Sequence, residues 1–167
     1  APYKQYVYLI GDFNDWQVDA LYYLKREQIN TDSVHYWITL DNLTPGQEYA
    51  FQYLVDGELP VADPYTDKIL DPWNDQYIPS NIYPNLKSYP FGKTYEAVAV
   101  LQTDQTPFTW IYSDTFQRPE KKDLVIYEML LRDFLQQHDF TTLQDTLAYF
   151  QKLGINAIEL MPFSEFE

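Results

Sequence analysis

Prolines set the first limit on this chain. Six of its 11 (Pro60, Pro64, Pro72, Pro79, Pro84 and Pro90) crowd into one stretch. Proline lacks a backbone N–H and its ring clashes with the preceding helical turn, so no helix runs through such a segment. The missing donor disfavours central strands as well. Yet Tyr65, Ile69, Leu70, Trp73, Tyr77, Ile78 and Tyr83 lie in the same stretch, too much apolar area to leave in water. Residues 63–91 are therefore expected to form a long arm packed against a neighbour, not a flexible linker.

Before this arm the chain reads as β. Residues 6–10 (YVYLI) and 20–24 (ALYYL) are β-rich runs on either side of the turn Gly11-Asp12-Phe13-Asn14-Asp15-Trp16. Tyr36, Ile38 and Leu40 alternate with His35, Trp37 and Thr39, the period of a half-buried strand. Tyr49, Phe51, Tyr53 and Val55 line one face of a further run, with Glu48, Ala50, Gln52 and Leu54 on the other. Asp56-Gly57 then signals a tight turn. Residues 96–101 (EAVAVL) supply a last strand. Strands of this kind, separated by Gly, Pro, Asn and Asp turns, predict a β-sandwich over residues 1–103, arm included.

Residues 104–123 read as a linker, with Pro107, Pro119 and the cluster Glu120-Lys121-Lys122-Asp123. Beyond it the pattern changes. Residues 124–131 (LVIYEMLL) are almost continuously apolar, as in a strand buried on both faces. Leu143, Leu147, Phe150 and Leu153 recur at helical spacing. Thr142 is the expected N-cap, with Asp145 three residues on, and Gly154 suits the position after the helix. Residues 155–161 (INAIELM) form a second buried strand, closed by Pro162. The prediction is one β-α-β unit with a parallel pair. Such a pair under one helix has open edges and an uncovered face. Residues 124–167 are accordingly expected to open a larger α/β domain cut short, and their exposed strands to favour self-association.

Charge and composition exclude several function classes. The formal net charge is −14, which argues against a nucleic-acid or anionic-membrane partner. No run approaches the ~20 apolar residues of a membrane span. The absence of Cys removes disulfides, thiol catalysis and Cys-ligated metals, and fits a cytoplasm and a bacterial envelope alike. His35 and His138 are isolated, and no Asp-x-Asp-x-Asp-Gly loop occurs, so neither a metal nor a cofactor is expected. An aromatic share of 18%, including 16 Tyr, is too high for a disordered acidic tail.

Two stretches carry a family resemblance. Gly11-Asp12-Phe13-Asn14-Asp15-Trp16, then Tyr53-Leu54-Val55-Asp56-Gly57 and Ala62-Asp63-Pro64-Tyr65, resemble the immunoglobulin-like domain ahead of the barrel in glycogen branching enzymes, pullulanases and related amylases. Its relative is carbohydrate-binding module family 48. Val125-Ile126-Tyr127-Glu128, Arg132-Asp133-Phe134 and the run from Leu153 to Pro162 (LGINAIELMP) resemble the first strand, helix and second strand of the (β/α)8 barrel of glycoside hydrolase family 13, the α-amylase family. The resemblance implies a mainly β fold: an immunoglobulin-like β-sandwich followed by an incomplete β-α-β piece of that barrel. The implied parent is an α-glucan-active glycoside hydrolase of starch, glycogen or maltodextrin breakdown. A branching enzyme or pullulanase is the alternative parent.

No catalytic residue is carried over, because the family's carboxylates come from later strands. Glu128 and Glu159, on adjacent predicted strands, could approach one another but read as barrel carboxylates hydrogen-bonded within a core or to elements of the rest of the barrel, while Glu165 and Glu167 lie towards the face where barrel active sites gather. For the sandwich itself, sugars stack on Trp or Tyr faces while polar groups take the hydroxyls. Trp16 matches the family's Phe-Asn-x-Trp turn and is the first candidate. The competing reading packs it as a corner of the sandwich. The family's other platform residues are replaced here by Leu59 and Gln52. Lys25 and Trp37, with Tyr23, are candidates for a different platform. Three roles thus remain: enzyme fragment with an α-glucan as possible partner, non-catalytic glucan-binding module, or a structural domain that positions the barrel. In the arm, Trp73, Tyr77, Tyr83 and Tyr89 are expected to dock against the barrel.

Overall fold

The computed structural model describes residues 3–161. Contacts divide the chain into two compact units, residues 1–107 and 108–167. The first is built on a five-stranded antiparallel sheet of β1 (Val7–Gly11), β4 (Glu48–Val55), β5 (Leu59–Val61), β6 (Lys68–Leu70) and β7 (Val98–Gln102). The hairpin of β2 (Lys25–Asn30) and β3 (Ser33–Trp37) is a sheet of its own.

Strand β4 organises the unit. Its residues 51–55 pair with β1 along one edge. Its other edge is shared end to end, with β7 opposite residues 48–51 and β5 opposite residues 53–55. Gln52 sits where the partner changes, wholly buried. Its Nε2 donates to the carbonyls of Tyr95 (2.9 Å) and Ala97 (2.8 Å), and its Oε1 accepts from the Thr94 hydroxyl. It therefore pins the chain entering β7. The Asp56-Gly57 turn forms as expected, both residues having positive φ (53° and 76°), which matches the twist of a hairpin.

The sheet is buried on both faces, and both sets of alternating side chains on β4 contribute to a core. One face packs Ile10, Ala50, Val98 and Val100 with Trp16, Leu70 and Tyr89. The other packs Val7, Leu9, Phe51 and Ala99 with Leu24, and with Tyr36, Ile38 and Leu40 from the hairpin and the segment after it. The result is mainly β with open sheets, consistent with a β-sandwich.

Several local expectations change. Residues 20–24 do not form a strand: Ala20–Tyr22 is a 3-10 turn, and only Tyr23 bridges to Tyr8. Asp19 caps that turn, accepting from the N–H of Leu21, which withdraws the run from sheet pairing. The polar run of β2 was not foreseen, because all six of its residues are exposed and its periodicity is silent. The arm folds back onto the sheet through Leu70, Leu86 and Tyr89, and β6 takes the outer edge that proline-rich chain tolerates. Tyr89, expected to dock elsewhere, is buried in this unit, whereas Trp73, Tyr77 and Tyr83 are exposed.

The second unit contains the parallel pair β8 (Ile126–Met129) and β9 (Ala157–Leu160), with α1 (Leu131–Phe134) and α2 (Phe140–Lys152) between them. Asp139, not Thr142, caps α2: its Oδ1 accepts from the Thr142 N–H at 2.7 Å. Gly154 ends the helix at φ 77°. The N–H of Gly154 bonds to the carbonyl of Gln151, and that of Ile155 to Phe150, both at 3.0 Å, a Schellman closure. Asn156 clamps the start of both strands. Its Oδ1 accepts from Val125 N–H (2.7 Å) and its Nδ2 donates to Asp123 (2.8 Å). The helix buries Leu143 and Phe150 against Met129, but Leu147 and Leu153 are exposed. Val125 and Ile126 are exposed too, so β8 is covered on one face, not two. Pro162 lies outside the described residues.

Candidate functional site

The turn that carries the first family resemblance is closed on itself. Asn14 Oδ1 accepts from Gly11 N–H and its Nδ2 donates to the Leu9 carbonyl, both at 2.9 Å. Asp12 accepts from the Trp16 indole N–H (3.2 Å), from Ala50 N–H (2.9 Å) and from the Lys87 ammonium (2.9 Å). Gly11 is required by close approach, since a Cβ there would meet the Ala50 carbonyl at 2.5 Å. Trp16 itself is 6% exposed, in contact with Leu70 and Tyr89. A ring enclosed on this scale offers no face to a pyranose. Trp16 as a stacking platform is thus corrected to the competing reading, a packed corner. Of the two substituted platform positions, Gln52 is buried and Leu59 exposed.

The other two candidates do come together. In the β2–β3 register Lys25 stands opposite Trp37, and its Nζ lies 4.4 Å from the indole centroid, a cation–π pair. Glu27 and His35 face each other one step along the same side. Arg26, Val34 and Tyr36 belong to the opposite side, and Val34 is buried. Trp37 retains 38% exposure. Tyr23 precedes this pair on extended chain, its ring edge-on to Tyr8 at 5.2 Å. The hairpin is anchored by Leu24, whose N–H donates to the Val7 carbonyl.

Beneath Trp37 lies a cleft of about 370 Å³, lined by Leu9, Tyr36, Phe51, Tyr53 and Asp63 among others. The Tyr53 hydroxyl donates to Asp63 Oδ2 at 3.0 Å. Burial, and then the neighbouring Asp63 charge, push this phenol up to about 12, so it stays a donor at neutral pH. The cleft and hairpin together offer an indole face, an ammonium and a carboxylate–phenol pair. That set can stack a sugar ring and bond its hydroxyls.

In the second unit, Glu128 and Glu159 are direct partners across the parallel pair. Both are exposed, because Tyr127, Met129, Ile158 and Leu160 take the helix-facing side. Neither is a buried carboxylate among the described residues. Glu165 and Glu167 lie outside those residues. No group of three or more His, Asp or Glu placed to hold a metal occurs among the described residues. No described helix is long and apolar enough to cross a membrane.

No family model matches the sequence. The chain is similar to the malto-oligosyltrehalose trehalohydrolase of Saccharolobus solfataricus, with 26% identity over 147 residues. The match covers 88% of this chain and 21% of that enzyme, so the chain spans about a fifth of the length of the curated relative it matches.

Proposed function

We propose that this chain is a non-catalytic part of an α-glucan-active glycoside hydrolase of the α-amylase family. In this reading residues 1–103 are an immunoglobulin-like sandwich, residues 104–123 a linker, and residues 124–167 the first strand, helix and strand of a (β/α)8 barrel. The observation that carries it is the similarity to a trehalohydrolase across both units in sequence order. The parallel pair β8–β9 around a capped helix is the local geometry such a barrel start requires. The catalytic carboxylates belong to the rest of the parent polypeptide. The test compares the whole parent with this chain on maltodextrin and malto-oligosyltrehalose. Sugar release by the parent and none by the chain is expected. A parent inert on both substrates, or a chain that cleaves either, sinks the proposal.

A second role for the sandwich is glucan contact through Lys25 and Trp37. The exposed cation–π pair above an aromatic cleft favours it. Titrating maltoheptaose while following Trp fluorescence tests the role. Quenching that disappears in Trp37→Ala supports it, and quenching retained in that variant rejects it.

A further inference from the structure

We propose that the proline-rich arm holds a separate saccharide cleft, one that takes a neutral α-glucan oligosaccharide through Asp75, Tyr83 and Phe91. The inference rests on the α-glucan reading above for the identity of the sugar, but its geometry is independent of the hairpin. The cleft measures about 520 Å³, within the range of small-ligand sites. Its lining mixes aromatic rings with carboxylates, amides, hydroxyls and one ammonium, among them Asp71, Asp75, Gln76, Tyr83, Lys87 and Phe91.

The aromatic wall is held in place. Tyr89 is buried, and its hydroxyl donates to the Glu96 carbonyl at 2.7 Å. Phe91 leans on that ring at 4.8 Å and is otherwise 72% exposed. A large apolar ring on a fixed base, open to the cleft, is what a pyranose face stacks on. The polar wall is the Asp71–Asp75 turn. Asp75 Oδ2 accepts from the Asp71 N–H at 2.9 Å, and the carboxylate keeps lone pairs for further donors. Burial raises the pKa of this carboxyl above its ordinary value, against the bond from the Asp71 N–H, which lowers it.

Charge selects the ligand class. Lys87 stands in the cleft wall but is ion-paired with Asp12 at 2.9 Å, and Lys68 is paired with Glu48 at 2.8 Å. Lys68 also lies over the Tyr83 ring, 4.8 Å from its centroid. Phosphorylated sugars and nucleotides would meet the carboxylates of Asp71 and Asp75, and ammoniums already neutralised by Asp12 and Glu48. A neutral polyol brings hydroxyl donors to Asp75 and an apolar face to Phe91.

The test is a titration of maltoheptaose into the 167-residue chain, followed by backbone amide NMR shifts, in wild type, Asp75→Asn, Phe91→Ala and Trp37→Ala. Shifts at residues 71–91 are expected, independent of any at the hairpin. Affinity should fall about tenfold or more in Asp75→Asn, as for a lost hydrogen bond to a charged group, fall in Phe91→Ala with the loss of the stacking face, and persist in Trp37→Ala. Phe91 is exposed and Asn can still accept from Asp71, so both variants should keep the wild-type circular dichroism. The inference fails if those residues do not shift, or if both variants bind as wild type does. In that case the parent's hydrolysis of maltodextrin would still uphold the α-glucan reading. Cellohexaose binding in the cleft where maltoheptaose does not would overturn the α-glucan assignment of the cleft. Spermidine binding there in place of either sugar would overturn the saccharide assignment in favour of a cation.

Discussion

Single residues in this protein hold more of the fold than their types suggest. Trp16 is a sugar-platform candidate by its match to the family's Phe-Asn-x-Trp turn. It is buried because the arm returns over it, bringing Leu70 and Tyr89. Replacing it with alanine should therefore act on stability, costing about 3–5 kcal/mol as for other buried aromatics. Urea denaturation would show a large drop in midpoint, and Trp16→Phe should recover most of it. Asp56 is a second example. It adopts φ 53°, which Asp tolerates better than most residues. Its Oδ1 accepts from the N–H groups of Gln5 (2.8 Å) and Tyr6 (3.3 Å). These bonds, opposed by partial desolvation and helped by Lys4, hold its pKa below the ordinary 3.8. A depressed folded-state pKa means that the stabilisation is present above 3.8 and is lost as pH falls through the folded value. Asp56→Ala should lower the melting temperature at pH 7, and the gap to wild type should narrow towards pH 3. A gap that does not change with pH would rule out the carboxylate as its source.

At the scale of elements, α2 is built from its ends. Its apolar stripe is narrow, since Leu143 and Phe150 alone are buried, so caps carry unusual weight. Asp139→Ala removes the bond to Thr142 N–H and should cost about 1 kcal/mol. Gly154→Ala forces a Cβ into φ 77° and should cost about 1–2 kcal/mol. Far-UV circular dichroism during denaturation measures both. Thr142→Val should cost less than Asp139→Ala, because the cap lies three residues earlier than the sequence pattern placed it. The choice between Thr142 and Asp139 is not legible locally: both are good caps, and the helix start is set by where Leu143 and Phe150 pack with Met129. Strand β2 was illegible for a related reason. Its residues have no buried face, and only pairing with Ser33–Trp37 makes it a strand. The Lys25–Trp37 contact depends on that register, which is why the two residues could be named but not joined from sequence.

On the scale of the whole molecule, the second unit displays apolar side chains that it does not use. Phe108, Trp110, Ile111, Tyr112 and Phe116 are all at least 70% exposed. The β8–β9 pair adds Val125 and Ile126, with open strand edges on both sides of a two-stranded sheet. If the proposed barrel is real, these groups are covered in the parent. In the isolated chain they should drive self-association that grows with protein concentration. Light scattering should detect it, and Ile126→Lys, which charges the uncovered face, should reduce it. A chain monomeric at all concentrations would remove that expectation.

What the sequence determined alone was local and periodic. Proline density excluded helices from the arm, alternation marked β4, and Gly154 marked the end of α2, because each effect acts through the backbone of a few neighbouring residues. Burial was decided only by tertiary structure. Whether Trp16 faces solvent, whether Tyr89 docks inward, and whether Gln52 anchors a distant strand all depend on chain that returns from far along the sequence. The same holds for function. A motif can name a tryptophan as a sugar platform, but the fold decides which aromatic rings keep an open face.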